Sequence, residues 1–182
     1  VGSCGAIVTW TAPTPNDNCP GVTMTSSHNS GDFFPIGSTT VTYTATDAAG
    51  NSVTCSFVVS VSDSENPIIS GCPTPILVNN DAGDCSAIVS WTVPTVSDNC
   101  PGVTLTSSHT PGTSFPIGST TVNYTATDAN GNSSVCSFAV TVTDAENPTF
   151  AGCPTTINQN TDPGSCTALV NWTVPTASDN CL

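Results

Sequence analysis

The sequence predicts a chain of tandem all-β sandwich modules, and three observations predict it. The first is an uninterrupted repeat, since Trp10, Trp91 and Trp172 lie 81 residues apart and the ten cysteines fall into sets with the same spacing. The second is the alternation of apolar and polar residues, and the third is the placing of turn-forming residues between the alternating segments. A fixed period of this length marks a tandem array of one small domain.

The central repeat contains a series of segments that alternate with period two, as half-buried strands do. Taken in order, the clearest segments are Ala87–Val93, Val103–Ser107, Thr121–Thr127 and Cys136–Val142. The turn signals that separate the strands are Asn79–Gly83, Pro111–Gly112, Pro116–Gly118 and Asn130–Asn132. Since no segment has helical periodicity, we expect a sandwich of about seven short strands with a buried Trp on an early strand.

The repeat divides the chain into three parts. Residues 1–63 form a partial module that lacks its first strand, residues 64–144 form a complete module, and residues 145–182 form the N-terminal portion of a third. We therefore expect the chain to be a window from a longer polypeptide. No apolar run is long enough to insert into a membrane.

The charge composition excludes several classes of partner. The chain has no Lys or Arg and 13 carboxylates, so its net charge is −13. Without cations it cannot neutralise phosphate groups, so nucleic acids and anionic membranes are excluded as partners.

The ten cysteines indicate disulfides and an oxidising compartment, because no Cys-x-x-Cys motif supports the alternative of zinc. Four cysteines in one repeat allow three pairings. Cys72 and Cys136 open the first and last strands, which begin at the same end of the sandwich, so we expect them to pair. Elimination then pairs Cys85 with Cys100. The whole chain would contain the pairs Cys4–Cys19, Cys72–Cys136, Cys85–Cys100 and Cys166–Cys181, with Cys55 and Cys153 bonded outside this segment or between chains.

Six motifs in the central repeat resemble the hyalin repeat, or HYR, domain. They are Cys72-Pro73, Trp91–Pro94, Ser97–Cys100, Phe115–Gly118, Tyr124–Asp128 and Cys136–Phe138. The resemblance covers the whole chain and implies tandem immunoglobulin-like β-sandwich modules of about 81 residues, stapled by disulfides. It also implies a place in an extracellular, often adhesive or matrix, protein. Family members often keep counterparts of Cys72 and Cys136 while lacking the other two cysteines, which agrees with that pairing.

Most carboxylates occupy repeated positions next to Asn, which predicts calcium at the junctions between modules, because calcium prefers carboxylate and amide oxygens. The first junction would gather Asp63, Glu65, Asn66, Asp98, Asn99 and Asp128. The second would gather Asp144, Glu146, Asn147, Asp179 and Asn180. The Asp128 and Asp144–Asn147 segments also resemble the inter-domain calcium motifs of cadherins. The alternative is that Asp and Asn serve only in tight turns, where their side chains bond local backbone amides.

No catalytic residue is predicted. Ser27-His28 and Ser108-His109 suggest nucleophilic catalysis, but adjacent residues on a strand point to opposite faces, and no Gly-x-Ser-x-Gly motif occurs. We expect the His residues to be structural or exposed, and the Trp residues to lie in the core.

The predicted function is a non-enzymatic structural one, as part of a rod or filament on a cell surface or in a matrix. Its partners would be further copies of the chain or adjoining modules. The alternative is an adhesin that binds a glycan or protein ligand, although the loops barely differ between copies, whereas recognition loops usually diverge. A further variant has the strand around Cys153 completing the first module of the next chain, with Cys153 bonded to Cys55.

Overall fold

The computed structural model describes residues 2–181, and the regular structure within this range is entirely β-strand, which confirms the predicted all-β class. The strands are β1 (Gly5–Ile7), β2 (Thr23–Ser26), β3 (Phe33–Pro35), β4 (Gly37–Thr46), β5 (Ser52–Val61), β6 (Ile68–Ser70), β7 (Ile76–Asn79), β8 (Ser86–Val89), β9 (Thr95–Ser97), β10 (Thr104–Ser107), β11 (Thr113–Pro116), β12 (Gly118–Thr127), β13 (Ser133–Thr143), β14 (Thr149–Ala151) and β15 (Thr176–Ser178).

The chain forms two compact units, and each combines segments of neighbouring repeats. The first contains the residues up to Gly71 together with Pro94–Thr106 and Tyr124–Cys136. The second contains Cys72–Val93, Ser107–Asn123 and the residues from Ser137 onward.

In the first unit, β2, β4 and β5 form an antiparallel sheet, and β1 pairs with β3. The alternation of β4 turns Val41 and Tyr43 inward, where they form a core with Phe34 and Val59. Trp10 packs on this core and donates a hydrogen bond from its indole Nε1 to the Tyr43 hydroxyl at 2.7 Å. The apolar core and one satisfied polar pair thus hold the two sheets of this module together.

The central repeat contains a four-stranded sheet with the order β10-β12-β13-β7, and β8 pairs with β11 in a second sheet. The predicted alternation is present, since Val122, Tyr124 and Ala126 are all buried. β7 runs parallel to β13, with Val78 opposite Val142. This four-stranded sheet and the β8-β11 pair are the two sheets of the disulfide-stapled, immunoglobulin-like sandwich.

Two expectations about the Trp segments are wrong: the length of the strand in the central repeat, and the burial of all three Trp residues in a core. β8 ends at Val89, so the predicted strand is shorter than Ala87–Val93, and Val93 is 47% exposed. Trp91 still packs edge-on against Phe115 and Phe138, with ring centroids 5.8 and 5.2 Å apart. Trp172, in contrast, is 61% exposed, because the third repeat contributes only β14 and β15 to the described structure.

Candidate inter-module junction

Two disulfides join cysteines of successive repeats. Cys4 is bonded to Cys100 with a Cα–Cα distance of 4.9 Å, and Cys85 is bonded to Cys181 with a distance of 5.2 Å. Both bonds connect residues 96 positions apart, so the same bond recurs one repeat later. Each links the cysteine before the Trp segment of one repeat to the Ser/Asn-Asp-Asn-Cys loop of the next.

The predicted pairs Cys4–Cys19, Cys85–Cys100 and Cys166–Cys181 are therefore wrong. Cys19 and Cys166 are exposed free thiols, as are Cys55 and Cys153. The elimination failed because it considered only the four cysteines within one repeat, whereas packing brings the cysteine of the next repeat closer. Cys72 and Cys136 are both disulfide-bonded.

The first of these disulfides lies beside two carboxylates. One oxygen of Asp63, one of Asp98 and the Cys100 sulfur all lie within 4.8 Å of one another. The two ends of the Asn99 amide lie 3.1 Å from Asp98 Oδ2 and 3.4 Å from Asp63 Oδ1. Oδ2 of Asp63 is buried and has no hydrogen-bond partner. The structure thus brings three of the six predicted residues together, and one oxygen of Asp63 among them has unused bonding capacity.

Asp128 joins this junction through another side chain that the sequence reasoning missed. The buried Asp128 carboxylate accepts hydrogen bonds from the backbone N–H groups of Asn130 and Asn132 and from Asn132 Nδ2, at 2.7–2.9 Å. Asn132 Nδ2 also lies 3.3 Å from the backbone oxygen of Asp63. Asn132 therefore connects the Asp128 turn to the linker that enters from the preceding module. Its recurrence as Asn51 was the available sequence signal.

These hydrogen bonds set the charge state of the turn. Burial alone would raise the pKa of Asp128, but the Asn132 side chain and the backbone N–H groups of the turn outweigh it, so the pKa is lowered. The same bonds from Asn51, led by its side chain, lower the pKa of the equivalent Asp47. Both turns therefore hold an ionised carboxylate at neutral pH.

Glu65 and Glu146 hold the linkers in another way. The Glu146 carboxylate accepts a hydrogen bond from Gly83 N at 2.9 Å, and the Glu65 carboxylate lies so close to the equivalent Gly2 that a Cβ there would collide with it. Glu65 also lines a cleft of about 170 Å³ with Asp63 and Asn99. Asn66 and Asn147 have exposed side chains.

The residues of the second predicted junction lie less close together than those of the first. Asn180 Nδ2 donates to the Asp84 backbone oxygen at 3.1 Å, and Asp179 accepts a hydrogen bond from Cys181 N. Asp144 lines a cleft of about 400 Å³ with Cys85 and Cys181. Among residues 2–181, no group of three potential ligands forms around Asp144 and Asp179 as it does around Asp63 and Asp98.

The two Ser-His pairs have a structural arrangement. Ser108 Oγ lies 2.9 Å from His109 Nδ1, so the expectation that these side chains point apart is wrong. The same oxygen accepts a hydrogen bond from Asn123 N at 2.9 Å, and the His109 ring packs on Phe115 with centroids 5.3 Å apart. The Ser27-His28 pair repeats this arrangement on Thr42 and Phe34.

Across the part of the chain that the structure describes, no helix has the length and hydropathy needed to cross a membrane.

Comparison with known proteins identifies the repeated unit. The HYR domain family matches residues 1–61 and 62–142. Hyalin of Strongylocentrotus purpuratus is 37% identical over 99% of this chain, which spans 16% of that relative's length. Hyalin of Lytechinus variegatus is also 37% identical over 99% of the chain, which spans 35% of its length.

A second type of relative is a multidomain protein. The rat sushi, von Willebrand factor type A, EGF and pentraxin domain-containing protein 1 is 41% identical over 75% of this chain. The chain spans 4% of that protein. All three relatives are therefore much longer than this chain.

Proposed function

Because this chain belongs to the HYR domain family, we propose that it is a segment of a non-enzymatic extracellular structural protein, a rod or filament of immunoglobulin-like modules. Its partners are adjoining modules or further copies of the same chain. The observation that carries the proposal is the disulfide that recurs every repeat between one module and the next. A covalent bond at successive junctions transmits tension without relying on the linker alone.

The extracellular location is supported by the disulfides. Cys4, Cys72, Cys85, Cys100, Cys136 and Cys181 are all oxidised, and disulfides persist in oxidising compartments outside the cytosol. A non-enzymatic role is supported by the Ser-His pairs, since each Ser oxygen is engaged by a backbone N–H group.

The stiffness of the junctions tests the proposal that the modules form a rod. We expect small-angle scattering of the oxidised chain to show an elongated particle, because each cross-linked junction holds consecutive modules in one orientation. Reduction of the disulfides should broaden the distribution of dimensions. The proposal is wrong if the oxidised and reduced chains give the same profile of a flexible or compact particle.

We also propose that calcium binds the first junction, between Asp63, Asp98 and the amide oxygen of Asn99. The buried, unpaired Asp63 Oδ2 and the second carboxylate within 4.8 Å support this, because a cation would supply the missing partner. The Asp128 carboxylate accepts three N–H groups of its own turn, so we do not include it in this proposed site.

Titration calorimetry with calcium chloride, and melting with and without EDTA, test this site. We expect heat of binding and a higher Tm with calcium, both reduced in Asp98→Asn. The matched control is Asp17→Asn, which changes the same position in the first repeat, where the structure describes no preceding linker. Equal loss in both variants, or no calcium uptake at all, would overturn the assignment in favour of turn chemistry.

A further inference from the structure

The chain contains two copies of the same module end, one buried and one exposed. We define the leading pole of a module as its Ser/Asn-Asp-Asn-Cys loop together with its Asp-x-x-Gly-Asn turn. In the second repeat the pole comprises residues 97–100 and 128–132, and in the first it comprises residues 16–19 and 47–51. The local sequences of the two poles are nearly the same. A difference in exposure between them therefore reflects the neighbouring segments that pack against each pole.

The leading pole of the second repeat is covered by the end of the preceding module. Cys4 forms a disulfide with Cys100, which is 6% exposed. The backbone oxygen of Asp63 lies 3.3 Å from Asn132 Nδ2, and Asp128 beneath it is 7% exposed. The preceding module therefore supplies one cysteine and one linker carbonyl to this pole.

The leading pole of the first repeat has the same groups, and they are more exposed. Asn51 donates to Asp47 from its backbone N and its Nδ2, both at 2.8 Å, as Asn132 does to Asp128. Asn51 and the Cys19 thiol are exposed, and Asp47 is only half-buried. Asp17, Asp47 and Asn51 line a cleft of about 210 Å³. The turn is thus preformed, and Asn51 lines this cleft.

We infer that this exposed pole is a docking site for the trailing end of another HYR module. The partner supplies a linker carbonyl to Asn51 Nδ2 and a cysteine to Cys19, as Asp63 and Cys4 do for the second repeat. The inference rests on the proposed array and names the contact that joins its members. Cys166, an exposed thiol at the position of Cys4 and Cys85, is the matching half for a module that follows.

The covalent step is an oxidation. Cys19 and the partner cysteine lose two protons and two electrons as their sulfur–sulfur bond forms. A low-molecular-weight disulfide such as oxidised glutathione accepts the electrons and is reduced to two thiols.

An in-register extension of the chain tests the inference. A second copy of residues 1–81, fused directly to the N-terminus of the full chain, restores a module before the exposed pole. After refolding in a glutathione buffer, alkylation and peptide mapping under non-reducing conditions report on each thiol. We expect Cys19 to be alkylated in the original chain, but to be protected in the extended chain and recovered in a peptide cross-linked to Cys4 of the added copy.

Two variants complete the experiment. Replacing Cys4 of the added copy by Ser should restore alkylation of Cys19, and Asn51→Ala should slow formation of the cross-link. The disulfides Cys4–Cys100 and Cys85–Cys181 within the original part serve as internal evidence of folding. Recovery of Cys19 bonded within its own repeat, or left free while those two bonds form, would overturn the inference.

The result for the docking site can be distinguished from the result for the proposed rod. If Cys19 is protected but scattering shows a flexible particle, the docking site stands and the rod fails. If scattering shows a rod while Cys19 stays reactive, the rod stands and the docking site fails.

Discussion

Single side chains in this protein act mainly by completing the hydrogen bonds of turns. Asp47 and Asp128 each accept hydrogen bonds from the Asn four positions later, which closes the turn between β4 and β5 or between β12 and β13. Because these bonds are stronger to the ionised carboxylate than to the protonated form, they couple the stability of the turn to pH.

We expect the protein to lose stability as the pH falls through the lowered pKa values of Asp47 and Asp128. A carboxyl whose pKa is lowered by folding stabilises the native state above its unfolded pKa, and this contribution is lost as the native group becomes protonated. The pH dependence of denaturant unfolding in Asp128→Asn should be shallower in acid than in the native sequence. Asp84→Asn is a control from another loop, and an unchanged acid slope in Asp128→Asn would contradict the assignment.

The bond between Trp10 Nε1 and the Tyr43 hydroxyl contributes to the first module. Tyr43 is 5% exposed and Trp10 is partly buried, so Tyr43→Phe leaves the indole N–H without its acceptor. We expect the free energy of unfolding to fall by about 1 kcal/mol, the usual net contribution of one hydrogen bond. Thr25→Ala on the exposed side of β2 is the control and should change it by less than about 0.5 kcal/mol. Equal effects in chemical denaturation would show that the bond is not important.

At the scale of the element, β5 and β13 have similar sequences and different neighbours. β13 lies between β12 and β7, whereas β5 is the last strand of its sheet in the described structure. Phe57 and Val58 of β5 are 37% and 59% exposed, while Phe138 of β13 is 4% exposed. A strand with one free edge retains unpaired N–H groups and is opened more easily by local fluctuation.

We expect the amides of β5 around Val59 to exchange with deuterium at least about fivefold faster than those around Val140, because β7 protects only the latter and one backbone hydrogen bond contributes about 1 kcal/mol. Hydrogen exchange followed by NMR measures both strands in one sample. The central strands β4 and β12 are the controls and should be similarly protected. Equal exchange in β5 and β13 would show that β7 contributes no protection.

At the scale of the whole molecule, the disulfides between repeats constrain long stretches of chain. The loops closed by Cys4–Cys100 and Cys85–Cys181 each span a sequence separation of 96 residues. Closing a loop of this length removes much of the entropy of the unfolded chain. A modest core in each small module is thereby supplemented by cross-links between modules.

The double variant Cys4→Ser with Cys100→Ser should lose roughly 4–5 kcal/mol of stability, the chain-entropy value for a loop of about 100 residues. Denaturant unfolding under oxidising conditions measures this loss. The same variant in reducing buffer shows how much comes from the substitutions themselves. Cys19→Ser is the matched control, with an effect within about 0.5 kcal/mol because Cys19 is an exposed free thiol. A similar loss of stability in the double variant and in Cys19→Ser would show that the Cys4–Cys100 disulfide is not the source of this stability.

Much of the fold could be predicted because it depends on local pattern. The alternation of Val122, Tyr124 and Ala126 identified β12 and its buried face. The Trp segment was overextended, because Val93 continues the pattern although β8 ends at Val89. Periodicity identifies a face, but the end of a strand depends on whether its neighbour continues.

The junction could be predicted only in part. The sequence pointed to Asp63, Asp98 and Asn99, since repeated carboxylates beside Asn flank the linker, and these residues do meet. Asn132 was missed because its role depends on a backbone oxygen in another module. The partner of Cys100 was missed because spacing within a repeat contains no information about the distance to the previous one.

The sequence by itself determined a repeated β module, because the alternation of side chains and the turn residues act over a few positions and need no knowledge of distant contacts. The sequence also determined that the chain has no Lys or Arg side chain. Only the tertiary structure decided that the cysteines bridge successive modules and that Asn132 holds the incoming linker. These depend on which surfaces pack together, a property of distances between segments almost a hundred residues apart.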